Sequence, residues 1–289
     1  MIELKAFAKV NLGLKILRKR DDGYHNIETI FHRINLYDEI IFEDASKIIF
    51  ETNEKDLPQD ENNLCVKAAK LLQQFTGLQK GAHISLMKNI PIGAGLGGGS
   101  SDAASTLIGL TKLWHVNVPQ SELFKLAVQL GSDVPFFLGN GSAHAFGRGE
   151  ILNYFDLDLP YWIVTVYPDV HISTAWAYQE YDNSQSAKHF QDSTSSLKQI
   201  ILENIENPKN LNYLLHNDFE PIVLHKYQIL GHLKLILYSE GALFAQLTGS
   251  GSSIYGLFQN ESDVLKTADK LGKQYKVFIT QPHFKPTII

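Results

Sequence analysis

Residues 91–104 read PIGAGLGGGSSDAA, the densest glycine cluster in the chain. Gly93, Gly95, Gly97, Gly98 and Gly99 strip side chains from a loop, so a ligand can come close to the backbone. The preceding segment AHISLMK (82–88) alternates as a strand does. Residues 101–114 carry Ala104, Leu107, Ile108 and Trp114 at helical spacing. A glycine loop that enters a helix offers free N–H groups and the positive end of the helix dipole, both suited to phosphate. Ser100 and Ser101 add hydroxyl donors or magnesium ligands where a phosphate would rest.

Other glycine motifs fit less well. Gly93, Gly95 and Gly98 satisfy G-x-G-x-x-G, but LWHVNV at 113–118 lacks the ribose-binding acid of a dinucleotide fold. No Lys-Ser or Lys-Thr follows, against a Walker loop, and no G-x-S-x-G frame marks a hydrolase elbow. A phosphate cradle outside the common P-loop pattern survives, with a flexible serine-capped loop as the plainer alternative. A second glycine turn, LTGSGSSIYG (247–256), reads by itself as a hairpin turn between two strands.

Working outward, Ile2, Leu4, Ala6, Ala8, Val10, Leu12, Leu14 and Ile16 share one parity, as in a half-buried strand. Lys5, Lys9, Asn11 and Lys15 fall on its other face, and Asp22-Gly23 marks a turn. Strands are expected at 38–43 and 47–51. Helices follow at 62–76, stopping at Gly77, and at 121–130, capped by Ser121 and ended by Gly131. LDLPY (157–161) suggests a boundary, giving domains 1–157 and 158–289. Beyond it come a strand at 161–167, a helix from 174 and a polar exposed connection at 182–196. Helices are expected around 197–205, 210–225 and 228–240. Strands 242–248 and 253–258, helix 262–272 and strand 275–280 then approximate a split β-α-β-β-α-β arrangement. The class is α+β in two lobes.

Composition excludes several functions. With 289 residues, 44% of them hydrophobic and 20% charged, the chain buries a core and stays soluble. Its 26 basic against 31 acidic residues, net −5, give no general field for nucleic acid. A single cysteine, Cys65, excludes an internal disulfide framework, a four-thiolate zinc site and a cysteine-ligated iron–sulfur cluster. No apolar run approaches the roughly 20 residues needed to cross a bilayer, and the N-terminus alternates, unlike a signal peptide. A cytoplasmic protein with no membrane partner is expected.

Three blocks, AFAKVNLGLKIL (6–17), IPIGAGLGGGSSDAAS (90–105) and LTGSGSSIYGLF (247–258), together resemble the GHMP small-molecule kinases. The resemblance implies an N-terminal nucleotide-binding lobe and a C-terminal ferredoxin-like split β-α-β lobe. It also implies ATP as phosphoryl donor, with Mg2+. The strings AKVNLGLKILRKRDDGYHNIETIF (8–31), ENNLCVKAA (61–69), LGSDVPFFLGNGSAHAFGRGE (130–150) and NDFEPIV (217–223) resemble one branch of that family. Its acceptor is a cytidine diphosphate conjugate of methylerythritol. The implied reaction phosphorylates the 2-hydroxyl of that acceptor, in the non-mevalonate route to isoprenoid precursors. No transit-like Arg/Ser-rich extension precedes the first strand, which favours a bacterial protein or a mature form.

The resemblance implies roles residue by residue. Asp133 would accept or orient the hydroxyl proton, with Lys9 beside it to keep it ionised and to stabilise the transferred group. Strand parity independently puts Lys9 and Asn11 on one face, so Asn11 joins the substrate side. Tyr24 and Tyr178 would sandwich the cytosine, His25 would read its edge, and Thr174 would help close the pocket. Asn63, Leu64 and Lys88 match positions around the adenine. Pro91, Gly93, Gly95, Leu96, Gly97, Gly98, Gly99, Ser100 and Ser101 match the phosphate loop. No acidic magnesium ligand is identified.

Plainer readings stand beside these: Asp133 as a turn cap, Lys9 or Lys88 in water, Leu64 in a helix core, the tyrosines as packing. Rival functions are a kinase of homoserine or mevalonate and a noncatalytic nucleotide-binding module. Tyr24-His25 and GSDVPFF argue against the first, and the joint presence of Lys9 and Asp133 against the second.

Overall fold

A computed structural model describes residues 1–184 and 195–286. Strands β1 (Ile2–Lys19) and β2 (His25–Ala45) form a long antiparallel hairpin. Its turn holds Asp22-Gly23, where the Asp22 carboxylate accepts from the Tyr24 N–H at 3.1 Å. With β3 (Ile48–Thr52), β4 (Gly81–Met87), β5 (Ser142–Phe146) and β6 (Ile151–Phe155) they make a six-stranded sheet. Its order is β3-β4-β2-β5-β6, and β1 also pairs with β2. Helices α1 (Leu64–Thr76), α2 (Gly98–Leu113) and α3 (Gln120–Leu130) bury Leu72, Leu107 and Leu126 in one core with Ile40, Phe42 and Ile84.

The second sheet is antiparallel, in the order β10-β7-β9-β8: β7 (Trp162–Tyr167), β8 (Phe244–Leu247), β9 (Ile254–Phe258) and β10 (Lys276–Thr280). Between β7 and β8 lie α4 (Thr174–Asn183), α5 (Leu197–Asn204), α6 (Leu211–Leu214), α7 (Glu220–Lys226) and α8 (Gln228–Ser239). Helix α9 (Glu261–Gly272) joins β9 to β10, so the fold is α+β with the split arrangement. Val10 and Leu12 of β1 and Ile30 of β2 share a core with Ile163, Tyr255 and Leu257. The second sheet is thereby seated on the first hairpin. No described helix is long and apolar enough to cross a membrane.

Several sequence expectations are corrected. β2 begins at His25, not 38, because buried partners satisfy the polar side chains that interrupt its alternation. The glycine-punctuated hairpin β5–β6 was not anticipated. Helix α2 begins at Gly98, so two glycines of the loop form its first turn. Helix α3 begins at Gln120 without a side-chain cap. The Pro119 carbonyl, not Ser121, receives the Glu122 and Leu123 N–H groups at 2.9 and 3.0 Å.

The helix expected at 210–225 is broken at 215–219, where polar groups leave to bond elsewhere. Asn217 Nδ2 donates to the carbonyls of Leu247 and Gly249, each at 2.8 Å. Asp218 Oδ2 accepts from Ile16 N at 2.7 Å. The middle of β1 is buried on both faces, Lys9 and Asn11 included. Most of the polar connection expected at 182–196 lies outside the described residues, although α4 runs through Asp182.

Candidate active site

The glycine loop lies over β1. The Lys9 N–H donates to the Leu96 carbonyl at 2.9 Å, and Lys9 Nζ to the Gly95 carbonyl at 3.1 Å. Gly95 has φ +76°, and a Cβ there would run into the Thr248 carbonyl, so only glycine lets the two glycine turns meet. The second turn is a β8–β9 hairpin, as its sequence suggests, but it also belongs to this site. Thr248 Oγ1 accepts from Asn11 N at 3.0 Å and donates to the Gly95 carbonyl at 3.2 Å. Thr174 Oγ1 lies 2.9 Å from Ser250 Oγ, tying the start of α4 to the same turn.

At this junction Lys9 Nζ stands 3.6 Å from Asp133 Oδ2 and donates to Asn11 Oδ1 at 2.6 Å. Asp133 opens a 3-10 turn, Val134–Leu138, but makes no capping bond with its side chain. The carboxylate is 33% exposed while Lys9 is 4%, so the pair has one open side. Burial draws the Lys9 pKa below its usual value, against an upward pull from Asp133. Gly149, at φ +119°, sits against Asp133: an added Cβ would come 3.3 Å from Oδ1.

A cavity of about 410 Å³ lies along the loop; Lys9 and Asp133 are not in its lining, and Lys9 reaches it through the carbonyls of Gly95 and Leu96. Asn63, Leu64, Lys88, Pro91, Gly93, Gly95, Leu96, Gly97, Gly98, Gly99 and Ser100 line it, whereas Ser101 is buried in α2. Asn63 is also the N-cap of α1, accepting from Cys65 N at 2.8 Å.

Lys88 is not the solvated strand end of its plainer reading, although it lines the cavity. Its ammonium is buried between Asp38, which it touches, and Asp102 Oδ2 at 3.4 Å. Asp38 Oδ1 also accepts from the N–H groups of Asn89 and Ile90, at 2.5 and 2.8 Å. The cluster therefore fastens the end of β4 to the start of α2 beneath the loop. Burial, with Asp38 close by, raises the Asp102 pKa.

The expected base site is divided in this structure. Tyr24 is 57% exposed, with the Arg148 guanidinium 4.9 Å over its ring. Tyr178 stacks on His25, centroids 5.0 Å apart and planes 8° apart. His25 Nε2 lies 2.7 Å from Asp182 Oδ1. Burial and then the Asp133 charge raise the Tyr178 pKa. Asn11 is occupied by Lys9 and by Thr29, to which its Nδ2 donates at 2.9 Å. Thr248, Asp38, Asp102, Gly149 and Asp182 escaped the sequence reading. Thr248, Asp102 and Gly149 carried a signal there, as members of glycine-rich strings, and Asp38 and Asp182 carried none.

Comparison with known proteins gives this site its context. Residues 63–141 match the GHMP kinases N terminal domain, and residues 196–277 match the GHMP kinases C terminal family. A 4-diphosphocytidyl-2-C-methyl-D-erythritol kinase of Pelodictyon phaeoclathratiforme is 46% identical over 97% of each chain. A crystal structure of 4-(cytidine 5'-diphospho)-2C-methyl-D-erythritol kinase superposes with TM-score 0.80 at 32% identity, covering 96% of this chain and 98% of that one. A mevalonate kinase structure superposes with TM-score 0.74 at 18% identity, over 98% and 99% of the two chains, a likeness of fold alone. The chain belongs to the GHMP kinases, and within them to the 4-diphosphocytidyl-2-C-methyl-D-erythritol kinases.

Proposed function

We propose that this kinase transfers the γ-phosphoryl group of ATP to the 2-hydroxyl of 4-diphosphocytidyl-2-C-methyl-D-erythritol, giving ADP and the 2-phosphate. The observation that carries it is the Lys9–Asp133 pair, open on its carboxylate side and bonded through Lys9 to the Gly95 and Leu96 carbonyls of a glycine-lined cavity. Phosphoryl transfer needs an acceptor hydroxyl in line with the donor phosphate and charge opposite the moving group. Asp133 takes or orients the hydroxyl proton, and Lys9 keeps that carboxylate ionised and faces the transferred group. Loop N–H groups from Gly95 to Ser100 receive the donor phosphates at the start of α2.

Asn63 and Leu64 border the adenine, and Lys88 holds the floor of the cavity. Tyr24, His25 and Tyr178 take the cytosine, which requires the Tyr178–His25 stack to open, while Thr174 helps close the pocket. Magnesium enters with the nucleotide as part of the substrate. The described residues form no group of three or more His, Cys, Asp or Glu that could hold it separately. The division into 1–157 and 158–289, with the reaction between the two lobes in a bacterial cytoplasm, belongs to the same proposal.

The test is ATP turnover by the purified chain with the cytidyl acceptor, with homoserine and with mevalonate, the product located by phosphorus NMR. A new monoester at the 2-hydroxyl of the cytidyl acceptor alone is expected. Turnover on another acceptor instead would remove the cytosine assignments. ATP binding without turnover on any of the three would leave a noncatalytic module.

A further inference from the structure

Arg33 is a charged side chain, 3% exposed, that the chemistry above does not use. Its partners are backbone carbonyls. Nη1 donates to Gly141 O at 3.1 Å, and Nη2 to Phe136 O at 3.0 Å and Gly139 O at 2.9 Å. Phe136 lies in the C-terminal end of the 3-10 turn that Asp133 opens, Gly139 is its C-cap and Gly141 follows just beyond that end. Such an end leaves carbonyls without partners inside the turn, and a cation suits them. The guanidinium also lies 4.5 Å over the Phe136 ring. Burial lowers its pKa to about 10, which still leaves it charged at neutral pH.

A second hold on the same turn comes from β6. The Tyr154 hydroxyl lies 3.0 Å from Pro135 O and 2.9 Å from Phe136 O and shares its one hydrogen between them. At the opposite end of the turn, Lys9 meets Asp133. Lys9 and Arg33 are cross-strand partners in β1 and β2, and directly opposed residues of an antiparallel pair project from the same face. Two neighbouring cations therefore grip the two ends of one five-residue turn. Such a turn is about 10 Å long, so tilting it by about 6° moves one end by about 1 Å. A displacement of about 1 Å at a reacting group costs about 10²-fold in rate.

We infer that Arg33, assisted by Tyr154, is a positioning residue that aims the Asp133 carboxylate by holding the carbonyl end of the 134–138 turn. This rests on Asp133 being the group that handles the hydroxyl proton.

The test uses the full chain. Arg33 lines a surface cavity of about 540 Å³, through which a small cation can reach the space left by truncation. Arg33→Ala should lower kcat by about 10- to 100-fold, with KM for ATP and acceptor within about threefold. Millimolar ethylguanidinium should restore part of the lost kcat, and Tyr154→Phe should lower kcat by a few-fold. Asp133→Asn serves as the reference. If Asp133→Asn turns over normally, the reading of Asp133 fails and this inference with it. If Asp133→Asn is slow but Arg33→Ala keeps kcat within about twofold of wild type, the positioning role alone is overturned. It is likewise overturned if the kcat loss follows a lowered Tm and ethylguanidinium restores nothing. Should Arg33→Ala fail to fold, Tyr154→Phe decides: lowered kcat at unchanged KM and Tm upholds the role, and unchanged kcat rejects it.

Discussion

Asp133 and Lys9 differ in burial, and the separate roles proposed for them follow from that difference. The lysine is enclosed by the glycine loop and Asn11, whereas the carboxylate keeps a third of its surface open. Asp133→Asn keeps the shape and removes the proton acceptor. A fall in kcat of about 10²–10⁴-fold is expected, with ATP affinity little changed, in steady-state assays varying each substrate. Tyr24 presents an exposed ring already bearing a cation, and a stacked base is worth about 1–3 kcal/mol. Tyr24→Ala should therefore raise the acceptor KM by about 5- to 100-fold while leaving kcat near wild type. An acceptor KM that does not move would take the base away from this ring.

Among the elements, the loop between β4 and α2 is held at both ends, and the two holds fail differently. Beneath it Lys88 is buried between two carboxylates, and losing one partner of a buried ion pair commonly costs about 3–5 kcal/mol. Lys88→Met should lower unfolding stability by that order in denaturant titrations, and it should raise the KM for ATP as the loop loses its floor. Above, Gly95 touches the second glycine turn, where a left-handed backbone and the Thr248 carbonyl both exclude a side chain. Gly95→Ala should cost about 1–2 kcal/mol in backbone strain and more where the Thr248 carbonyl has to move. It should weaken ATP binding by about tenfold or more in calorimetric titration. The opposite ranking, with Lys88→Met affecting only binding and Gly95→Ala only stability, would contradict this division.

Across the whole molecule the second sheet is locked to the first hairpin by the 216–218 segment, and Asp218 gives that lock a pH signature. Its Oδ2 accepts from Ile16 N, its Oδ1 is buried without a partner, and burial pushes its pKa up to about 6. The unfolded chain loses this proton near pH 3.9, so between about pH 4 and 6 the folded state binds more protons. Stability from this group therefore falls as pH rises through that window, by up to about 3 kcal/mol. Asp218→Asn keeps the acceptor and removes the ionisation. Its Tm minus that of wild type should grow from pH 4 to a plateau above about pH 7, and a flat difference would reject the assignment. His32, buried and lowered to about 4, titrates with the opposite sign in both proteins, so it cancels in that difference.

At this scale the division between sequence and tertiary structure is plain. The glycine loop before α2, the alternation of β1, the four-stranded C-terminal arrangement and the string GSDVPFF were legible because each is written in local spacing. Local spacing follows from backbone sterics and from the periods of helix and strand. The full length of β2, the double burial of Lys9, the clasp of Lys88 by Asp38 and Asp102, and the grip of Arg33 on the Asp133 turn were not legible. Those depend on which distant chain segment covers a polar side chain. A lysine that a strand would offer to water becomes a buried, paired group only when another element arrives to exclude that water.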